Sequence, residues 1–486
     1  MSPTMHSPSH EDFQRQTDDF MTWLAGRSGV KINPKIRVQD LRSQAAGRGV
    51  VAQSDIADGE ELFTIPSESV LSARTSGLKD LLSHNLDEFG PWLSLILVMI
   101  YEYLRGEQSA WKPYFTVLPQ NFDTLMFWSP SELQELQGSA IVGKIGKQSA
   151  EEMILETIAP VIRENPTLFP PVDGLASFDG EAGTQALLNI AHTMGSIIMA
   201  YAFDIENPED EDEQDAEDGY VTDEEEGQAS KGMVPLADML NADADRNNAR
   251  LFQEDGSLIM KAIKPIKQGD EIFNDYGELP RVDLLRRYGY VTDNYAPYDV
   301  AELSLKHICQ AAGLENADVE SQPRLQFLEE MDVLDDGYVI PRISKDDSLT
   351  DILPVELVLL LKTLTLPSDQ FEKHQSKSKL PKPSLDQDES AVLARTIQLE
   401  SAQYGTTIEQ DQEILSRLIQ FEASSPLDQS SRRHKMAVQV RIGEKEILQS
   451  LFSLLGSSTD GKGSSASKRT AADDSDQSRK SKVQKT

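Results

Sequence analysis

The centre of the chain alternates apolar runs with two short polar turns. Residues 258–266 are mostly apolar and include β-branched side chains, which predicts a strand, and residues 271–273 predict a second short strand after a turn at 267–270. One polar turn, residues 238–241, precedes these strands, and the other, residues 274–277, follows them. We therefore expect the strands to bring the two polar turns together.

The flanking regions mostly follow a helical period. Residues 11–26 predict a helix with one apolar face, formed by Phe13, Phe20, Trp23 and Leu24. Residues 47–63 predict short strands joined by a glycine turn, and residues 67–203 predict helices with loops at 121–131 and 165–180. After Tyr290 the pattern predicts further helices over residues 300–314, 354–366, 390–403, 407–424 and 433–455.

The composition is that of a soluble protein with an unusual charge. The chain has 486 residues, enough for two or three domains, with 39% hydrophobic and 26% charged residues. Its formal net charge of −35 argues against direct binding to nucleic acid, because phosphates repel an acidic surface. A basic protein partner suits this charge better, and we expect the chain to be a monomer.

Cysteine content and hydropathy exclude several classes of protein. Cys309 is the single cysteine, so neither an internal disulfide nor a cysteine-rich zinc site is possible, and no metal is expected. The most apolar stretch, residues 92–104, is too short to cross a bilayer, and Ser94 and Glu102 interrupt it. We interpret it as a buried core helix. The polar N-terminus carries no apolar run, so no signal peptide or anchor is expected.

Two segments have the composition of disordered chain. Residues 204–227 contain fourteen acidic residues and no Lys or Arg, which predicts a disordered acidic loop over 204–230. This loop is either an electrostatic lure for a Lys/Arg-rich target or a solvated insertion without a role. Residues 456–486 predict a disordered tail, in which Lys468-Arg469 and residues 479–482 resemble a two-part nuclear import signal. They predict a nuclear protein, with the cytoplasm as a second location.

The polar turns carry residues suited to positioning a ligand. Tyr276 offers one hydrogen-bond donor and one acceptor, whereas Asn241 offers two of each. No Ser-His pair or phosphate loop accompanies them. The segment PLADMLN and the segment NDYG, after the turn at residues 47–52, resemble the signature motifs of SET-domain methyltransferases in their usual order. The resemblance implies S-adenosylmethionine as cofactor and a protein lysine as methyl acceptor.

The resemblance also implies a role for individual residues. The family's first turn contacts the cofactor through its backbone, which gives this role to Gly49, Val50 and Val51. Asn241 is expected to hold the amino-acid end of the cofactor. Ala242 stands where the family usually has His, at a position that lies against the adenine largely through its backbone. Tyr276 is the expected catalytic residue, and Tyr288 matches the second tyrosine that packs beside the cofactor.

Residues 199–203 match the family segment that faces both cofactor and lysine. We expect Ala200 to contact the cofactor, and Tyr201 and Phe203 to contact the substrate. Asp238, in the first polar turn, is also expected on the substrate side. The alternative for the aromatic residues is a buried wall that serves packing alone.

The helical regions resemble one SET subfamily, which includes Rubisco large-subunit and ribosomal-protein lysine methyltransferases. Residues 111–119 resemble its WxPYxxxLP segment, although an aromatic loop that fills the core is the simpler interpretation. The implied fold is α+β: a SET domain of short β-strands over residues 35–277, with a helical insertion at 67–203, then an all-α substrate-binding domain over 278–455. Residues 1–34 would form an N-terminal helix. The implied target is a lysine of a large-subunit ribosomal protein.

Two alternatives to that target stay open. One is a histone or transcription-factor lysine, and the other is a non-catalytic SET module that binds a basic partner through the acidic loop. If the chain is catalytic, its site must remove a proton from the lysine ammonium, whose ordinary pKa is about 10.4. A narrow apolar channel lowers that pKa by desolvation, and Tyr276 would then aim the amine at the methyl group.

Overall fold

The computed structural model describes residues 9–44, 46–172, 174–205, 230–314 and 318–460. The chain forms two compact units. The first comprises residues 1–299 and 405–443, and the second comprises residues 300–404 and 444–486. The domain limits given above stay predictions.

The first unit is built around small antiparallel sheets. Its strands are β1 (Lys31–Ile32), β2 (Ile36–Asp40), β3 (Arg48–Ala52), β4 (Glu61–Pro66), β5 (Leu71–Ser72), β6 (Ala202–Ile205), β7 (Ser230–Met233), β8 (Ala249–Glu254), β9 (Ser257–Ala262) and β10 (Glu271–Ile272). They pair in the orders β1-β4-β9-β8, β10-β3-β2 and β5-β7-β6. The β8–β9 hairpin turns at Asp255 and Gly256, whose φ angles of 46° and 70° suit a tight two-residue turn.

Helices surround these sheets. They are α1 (His10–Ala25), α2 (Lys79–Glu88), α3 (Gly90–Leu104), α4 (Lys112–Val117), α5 (Pro130–Leu133), α6 (Lys147–Met153), α7 (Ala159–Glu164), α8 (Gly180–Tyr201) and α9 (Arg281–Tyr288). Helix α1 starts where the Ser9 hydroxyl accepts the Asp12 N–H at 3.1 Å, and it ends before Gly26, as expected. The core-helix prediction for residues 92–104 is confirmed, since α3 is buried from Ser94 to Glu102. No helix among the described residues is long and apolar enough to cross a membrane.

The second unit is mainly helical, as expected, but it also contains a two-stranded sheet. Its elements are β11 (Val300–Ser304), α10 (Leu305–Ala311), α11 (Pro323–Glu330), β12 (Gly337–Pro341), α12 (Leu349–Ile352), α13 (Val355–Thr365), α14 (Ser368–Gln375) and α15 (Gln387–Ser401). Helix α16 (Ile408–Glu422) and the first part of α17 (Gln429–Asp460) belong to the first unit, and α17 continues into the second. The helices predicted at 354–366, 390–403, 407–424 and 433–455 are confirmed within a few residues.

The prediction of helix over residues 300–314 is wrong for its first five residues. Val300–Ser304 is a strand that pairs antiparallel with Gly337–Pro341. Its side chains alternate between half-buried and buried, so period two applies where a helix was expected.

Two predicted boundaries also shift. The helical insertion does not reach Phe203, because β6 begins at Ala202 and pairs with β7. The ends of the predicted acidic loop lie in strands at Asp204, Ile205 and Ser230, and the rest of that loop, residues 206–229, lies outside the described residues. Residues 456–460 of the predicted tail belong to α17, which continues to Asp460, and residues 461–486 lie outside the described residues. Both basic clusters of the tail also lie outside the described residues.

Candidate active site

Backbone hydrogen bonds join the two polar turns. The N–H of Asn274 donates to the carbonyl of Asn241 at 2.9 Å, and the N–H of Asp243 donates to the carbonyl of Asn274 at 3.4 Å. Ala242 pairs with Asn274 in a parallel bridge. As a result, Asn241 and Tyr276 line one cavity of about 580 Å³, a volume within the usual range for small-ligand sites. The prediction that these turns meet is confirmed.

The Asn241 amide is held in place from two directions. Its Nδ2 donates to Glu271 Oε1 at 2.7 Å and lies 3.4 Å from the carbonyl oxygen of Arg48. Gly49 allows this approach: a Cβ atom there would lie 2.3 Å from Leu41 Cδ1, 2.8 Å from Glu271 Oε1 and 3.1 Å from Asn241 Nδ2. The second glycine of the turn is therefore required by close packing against the Asn241 side chain.

The residues of the glycine turn that line the larger cavity are not those expected to contact the cofactor. Ala46 and Gly47 line the 580 Å³ cavity. Val50 and Val51 are buried, and each is paired with β2 on one side and β10 on the other, so the structure does not bring them to this cavity wall. The sequence could have indicated that Gly47 lines the cavity, because Gly47 lies just before strand β3, and the residues before a strand lie at its exposed end. The cofactor role of Gly49, Val50 and Val51 stays a prediction.

Two tyrosine rings stack at the cavity wall. The centroids of Tyr276 and Tyr288 are 4.3 Å apart with an interplanar angle of 10°, and Tyr290 lies 6.2 Å from Tyr288. Burial raises the pKa of Tyr276 well above its usual value and raises that of Tyr288 to about 12. Tyr276 is thus a neutral phenol near pH 7, able to donate or accept a hydrogen bond. Tyr290 was missed by the sequence analysis.

A second cavity of about 470 Å³ adjoins the first. It is lined by Arg48 and Asp238, and it shares Gly47, Tyr201 and Asn241 with the larger cavity. Helix α1 contributes to its wall through Phe13 and Gln16. The shared residues form the boundary between the cavities, so Tyr201 and Asn241 can contact ligands on both sides.

Ala200, Phe203 and Ala242 were also expected to contact a ligand, and they differ in whether they line a cavity. Ala200 is buried in α8 and lines neither cavity, although the next residue, Tyr201, lines both. Phe203 is half-buried on β6, opposite Gly232, and also lines neither cavity. Ala242 lines the larger cavity, where its backbone pairing with Asn274 fits the expected backbone role.

Asp238 lies in the smaller cavity and is the most perturbed carboxyl of the site. It is buried, and the Tyr114 hydroxyl donates a hydrogen bond to its Oδ2. Burial raises the pKa of Asp238 to about 7, although the hydrogen bond from Tyr114 opposes this change. The sequence analysis identified the segment around Tyr114 but not its contact with the site.

The lining residues fit S-adenosylmethionine chemically. Glu271 and Asp238 supply carboxylates that suit a positive charge, and burial raises the pKa of both. Tyr288, Tyr290 and Phe273 supply flat apolar surfaces at the larger cavity, as a purine ring requires. Within the described ranges, no group of three or more His, Cys, Asp or Glu side chains is arranged to hold a metal ion.

Comparison with known families accounts for most of the chain. Residues 47–277 match the SET domain, and residues 315–448 match the Rubisco LSMT substrate-binding domain. Structures of Rubisco LSMT bound to sinefungin and monomethyllysine, and bound to AdoMet, superpose with a TM-score of 0.64 at 23% identity. The first covers 91% of this chain and 92% of that chain, and the second 93% and 92%. These structures share the fold.

Curated relatives are lysine methyltransferases. Ribosomal lysine N-methyltransferase 4 of Saccharomyces cerevisiae is 38% identical over 309 residues, which cover 62% of this chain and 60% of that protein. N-lysine methyltransferase SETD6 of Rattus norvegicus is 28% identical over 486 residues, covering 93% of each chain. The human SETD6 protein is 29% identical over 443 residues, covering 84% of each.

The chain therefore carries a SET domain followed by a substrate-binding domain of the Rubisco LSMT type. It is a protein-lysine N-methyltransferase, and S-adenosylmethionine is its methyl donor.

Proposed function

We propose that the chain methylates a lysine of a basic protein of the large ribosomal subunit. The support for a ribosomal target is the yeast relative, whose name states ribosomal lysine methylation and whose identity exceeds that of the SETD6 proteins. The net charge of −35 supports a basic partner, because opposite charge speeds encounter. The chain would act as a monomer in the nucleus, where the basic clusters of its tail would direct it.

The observation that carries the catalytic proposal is the position of Tyr276. Its half-buried ring stacks on Tyr288 at the cavity that Asn241 also lines. A lysine entering such an aromatic site loses water, which lowers the pKa of its ammonium and favours the neutral amine. The Tyr276 hydroxyl stays protonated, so it orients that amine instead of acting as a strong base. When bound, S-adenosylmethionine supplies the electrophilic methyl group.

A second target class has its own support. The SETD6 relatives align with nearly the full length of the chain, whereas the yeast relative aligns over 62% of it. The name of the SETD6 proteins states lysine methylation without a ribosomal target. A non-ribosomal protein lysine, such as one on a histone or transcription factor, is therefore the alternative.

Quantitative mass spectrometry can decide between these targets. Ribosomal proteins, histones and total nuclear extract from cells lacking the chain would be compared with those from cells expressing either wild type or Tyr276→Phe. We expect one lysine of a large-subunit ribosomal protein to lose methylation, and only wild type to restore it. Loss confined to a histone or another nuclear protein would reject the ribosomal target while leaving the enzyme class intact.

The remaining parts of the proposal have separate tests. Light scattering of the purified protein should give the mass of one 54.0 kDa chain, and a dimer mass would contradict the monomer. A fluorescent fusion should accumulate in the nucleus and should lose this on replacement of Lys468, Arg469, Arg479, Lys480 and Lys482 by Ala. A cytoplasmic wild-type fusion would reject nuclear import.

A further inference from the structure

The aromatic segment on α4 reaches the active site through one hydrogen bond. Tyr114 is fully buried, and its ring packs against Trp23 and Phe20 at centroid distances of 6.4 and 6.0 Å. Its hydroxyl donates to Asp238 Oδ2. Because two aromatic rings of α1 pack against Tyr114 on α4, the Tyr114 hydroxyl is held in one place. The Asp238 carboxyl that accepts its hydrogen bond is therefore held in one orientation.

The second oxygen of this carboxyl has no partner. Asp238 Oδ1 is buried and makes no hydrogen bond within the part of the chain that the structure describes. A buried acceptor without a donor is costly, and such atoms in a cavity often mark the position of a ligand group. The carboxyl itself lines the smaller cavity, which adjoins the larger one at Tyr201 and Asn241.

The neighbouring charged and titratable groups do not neutralise Asp238. Arg48 lines the same cavity, but its guanidinium donates to Thr17 Oγ1 at 3.0 Å and to the Val117 carbonyl at 3.0 Å. The backbone N–H groups of Leu236 and Asp238 favour the charged form of the Asp238 carboxyl without neutralising it. The titratable groups that interact with this carboxyl are phenols: Tyr114, Tyr201 and Tyr276. Burial keeps the pKa of all three above its ordinary value, so they stay neutral near pH 7.

We propose that Tyr114 is a positioning residue that fixes the Asp238 carboxylate, so that its free oxygen Oδ1 pairs with a cationic group of a bound ligand. The two cations of the reaction are the methylsulfonium of the donor and the ammonium of the incoming lysine before it loses its proton. A carboxylate that lacks a protein cation at this depth gains most from such a partner. The proposal rests on the methyl-transfer activity and is independent of which protein is the target.

Binding measurements across pH test the proposal without any protein substrate. Wild type, Tyr114→Phe and Asp238→Asn would be titrated with S-adenosylmethionine and S-adenosylhomocysteine by calorimetry, from about pH 6 to about pH 9. The ratio of the two affinities isolates the sulfonium charge, because the amino group that titrates in this range is common to both ligands. Binding of N-acetyl-lysine methylamide in the presence of S-adenosylhomocysteine, followed by NMR, measures the ammonium contribution.

For wild type we expect binding of a cationic probe to strengthen as pH rises through about 7, where Asp238 loses its proton. Tyr114→Phe removes a hydrogen bond that favours the charged form. Its midpoint should rise by about one pH unit or more, with roughly tenfold weaker binding near neutral pH and recovery at high pH. Asp238→Asn should abolish the pH dependence of the affinity ratio and of lysine-probe binding. Dependence in the sulfonium ratio, the lysine probe or both supports the proposal and identifies the cation.

A merely structural role gives different results. Equal weakening of every ligand at all pH values by Tyr114→Phe, or an unchanged wild-type pH dependence in Asp238→Asn, would overturn the proposal. Tyr101→Phe is the matched control, because Tyr101 is also a buried tyrosine with a hydrogen-bonded hydroxyl, which accepts from Arg105 at 2.7 Å. It should retain the wild-type profile. If Tyr114→Phe fails to fold, the Asp238→Asn titration alone decides.

Discussion

The hydroxyl of Tyr276 can be removed with little change to the packing around it. In Tyr276→Phe the ring can keep its stack on Tyr288, at 4.3 Å and 10°, so the cavity wall should persist. The change deletes one hydrogen-bonding group that burial keeps neutral. A preorganised hydrogen bond that acts on the reacting groups in a water-poor site lowers the activation free energy by about 3 to 4 kcal/mol. The methyl-transfer rate should therefore fall roughly 100-fold to 1,000-fold.

Single-turnover transfer of labelled methyl groups measures this rate, and calorimetry measures the affinity for S-adenosylmethionine. We expect the affinity to change by no more than about threefold, because the lost group acts on the amine in the transition state. Tyr338→Phe is the control, since Tyr338 is a buried tyrosine on β12 whose hydroxyl accepts the Asp335 N–H at 3.3 Å. A rate within about threefold of wild type would refute the role of Tyr276. A rate loss fully explained by weaker cofactor binding would refute it equally.

Other substitutions test separate parts of the structure. Gly49→Ala should weaken cofactor binding roughly tenfold in calorimetry, because the added Cβ would displace the Asn241 amide. Gly77→Ala is the control and should keep the wild-type affinity, because no atom lies within 4 Å of the added Cβ. Equal affinities of the two variants would reject this packing argument. Ala242→His should change the affinity for S-adenosylmethionine by less than about threefold, since residue 242 pairs with Asn274 through its backbone. A roughly tenfold gain in affinity would show that the usual His side chain matters. Asp299→Ala should lower the free energy of unfolding by about 3 kcal/mol in denaturant titration, because the buried Arg281 loses the hydrogen bond from its Nη2 to Asp299 at 2.6 Å. A loss below about 1 kcal/mol would contradict this prediction.

Local patterns were sufficient to locate both polar turns and most helices. The strands on either side of the turn at residues 267–270 are short, so the polar turns that flank them can lie only a short distance apart. The parallel bridge between Ala242 and Asn274 was not predictable in the same way. It joins segments about thirty residues apart, and neither segment has a repeating pattern that marks the contact. The meeting of the turns was therefore foreseen, but the bonds that fix it were not.

The errors have physical causes of the same kind. Val300–Ser304 alternates in burial, but it runs directly into helix α10, and a segment of five residues is too short for periodicity alone to distinguish strand from helix. The contact between Tyr114 and Asp238 spans 124 positions, so only the folded chain reveals it. Val50 and Val51 were assigned to the cofactor by resemblance, and that role stays a prediction. Pairing on both sides of β3 places Ala46 and Gly47, just before the strand, at the cavity.

The central claim is that the two polar turns form one cofactor site, and Asn241 tests it most directly. Calorimetry with S-adenosylmethionine should show one binding event per chain for wild type. Asn241→Ala removes the amide that donates to Glu271 at 2.7 Å and leaves the backbone bond from Asn274 available, so the fold should persist while the affinity falls at least about tenfold. A folded Asn241→Ala variant that binds S-adenosylmethionine as tightly as wild type would contradict the account.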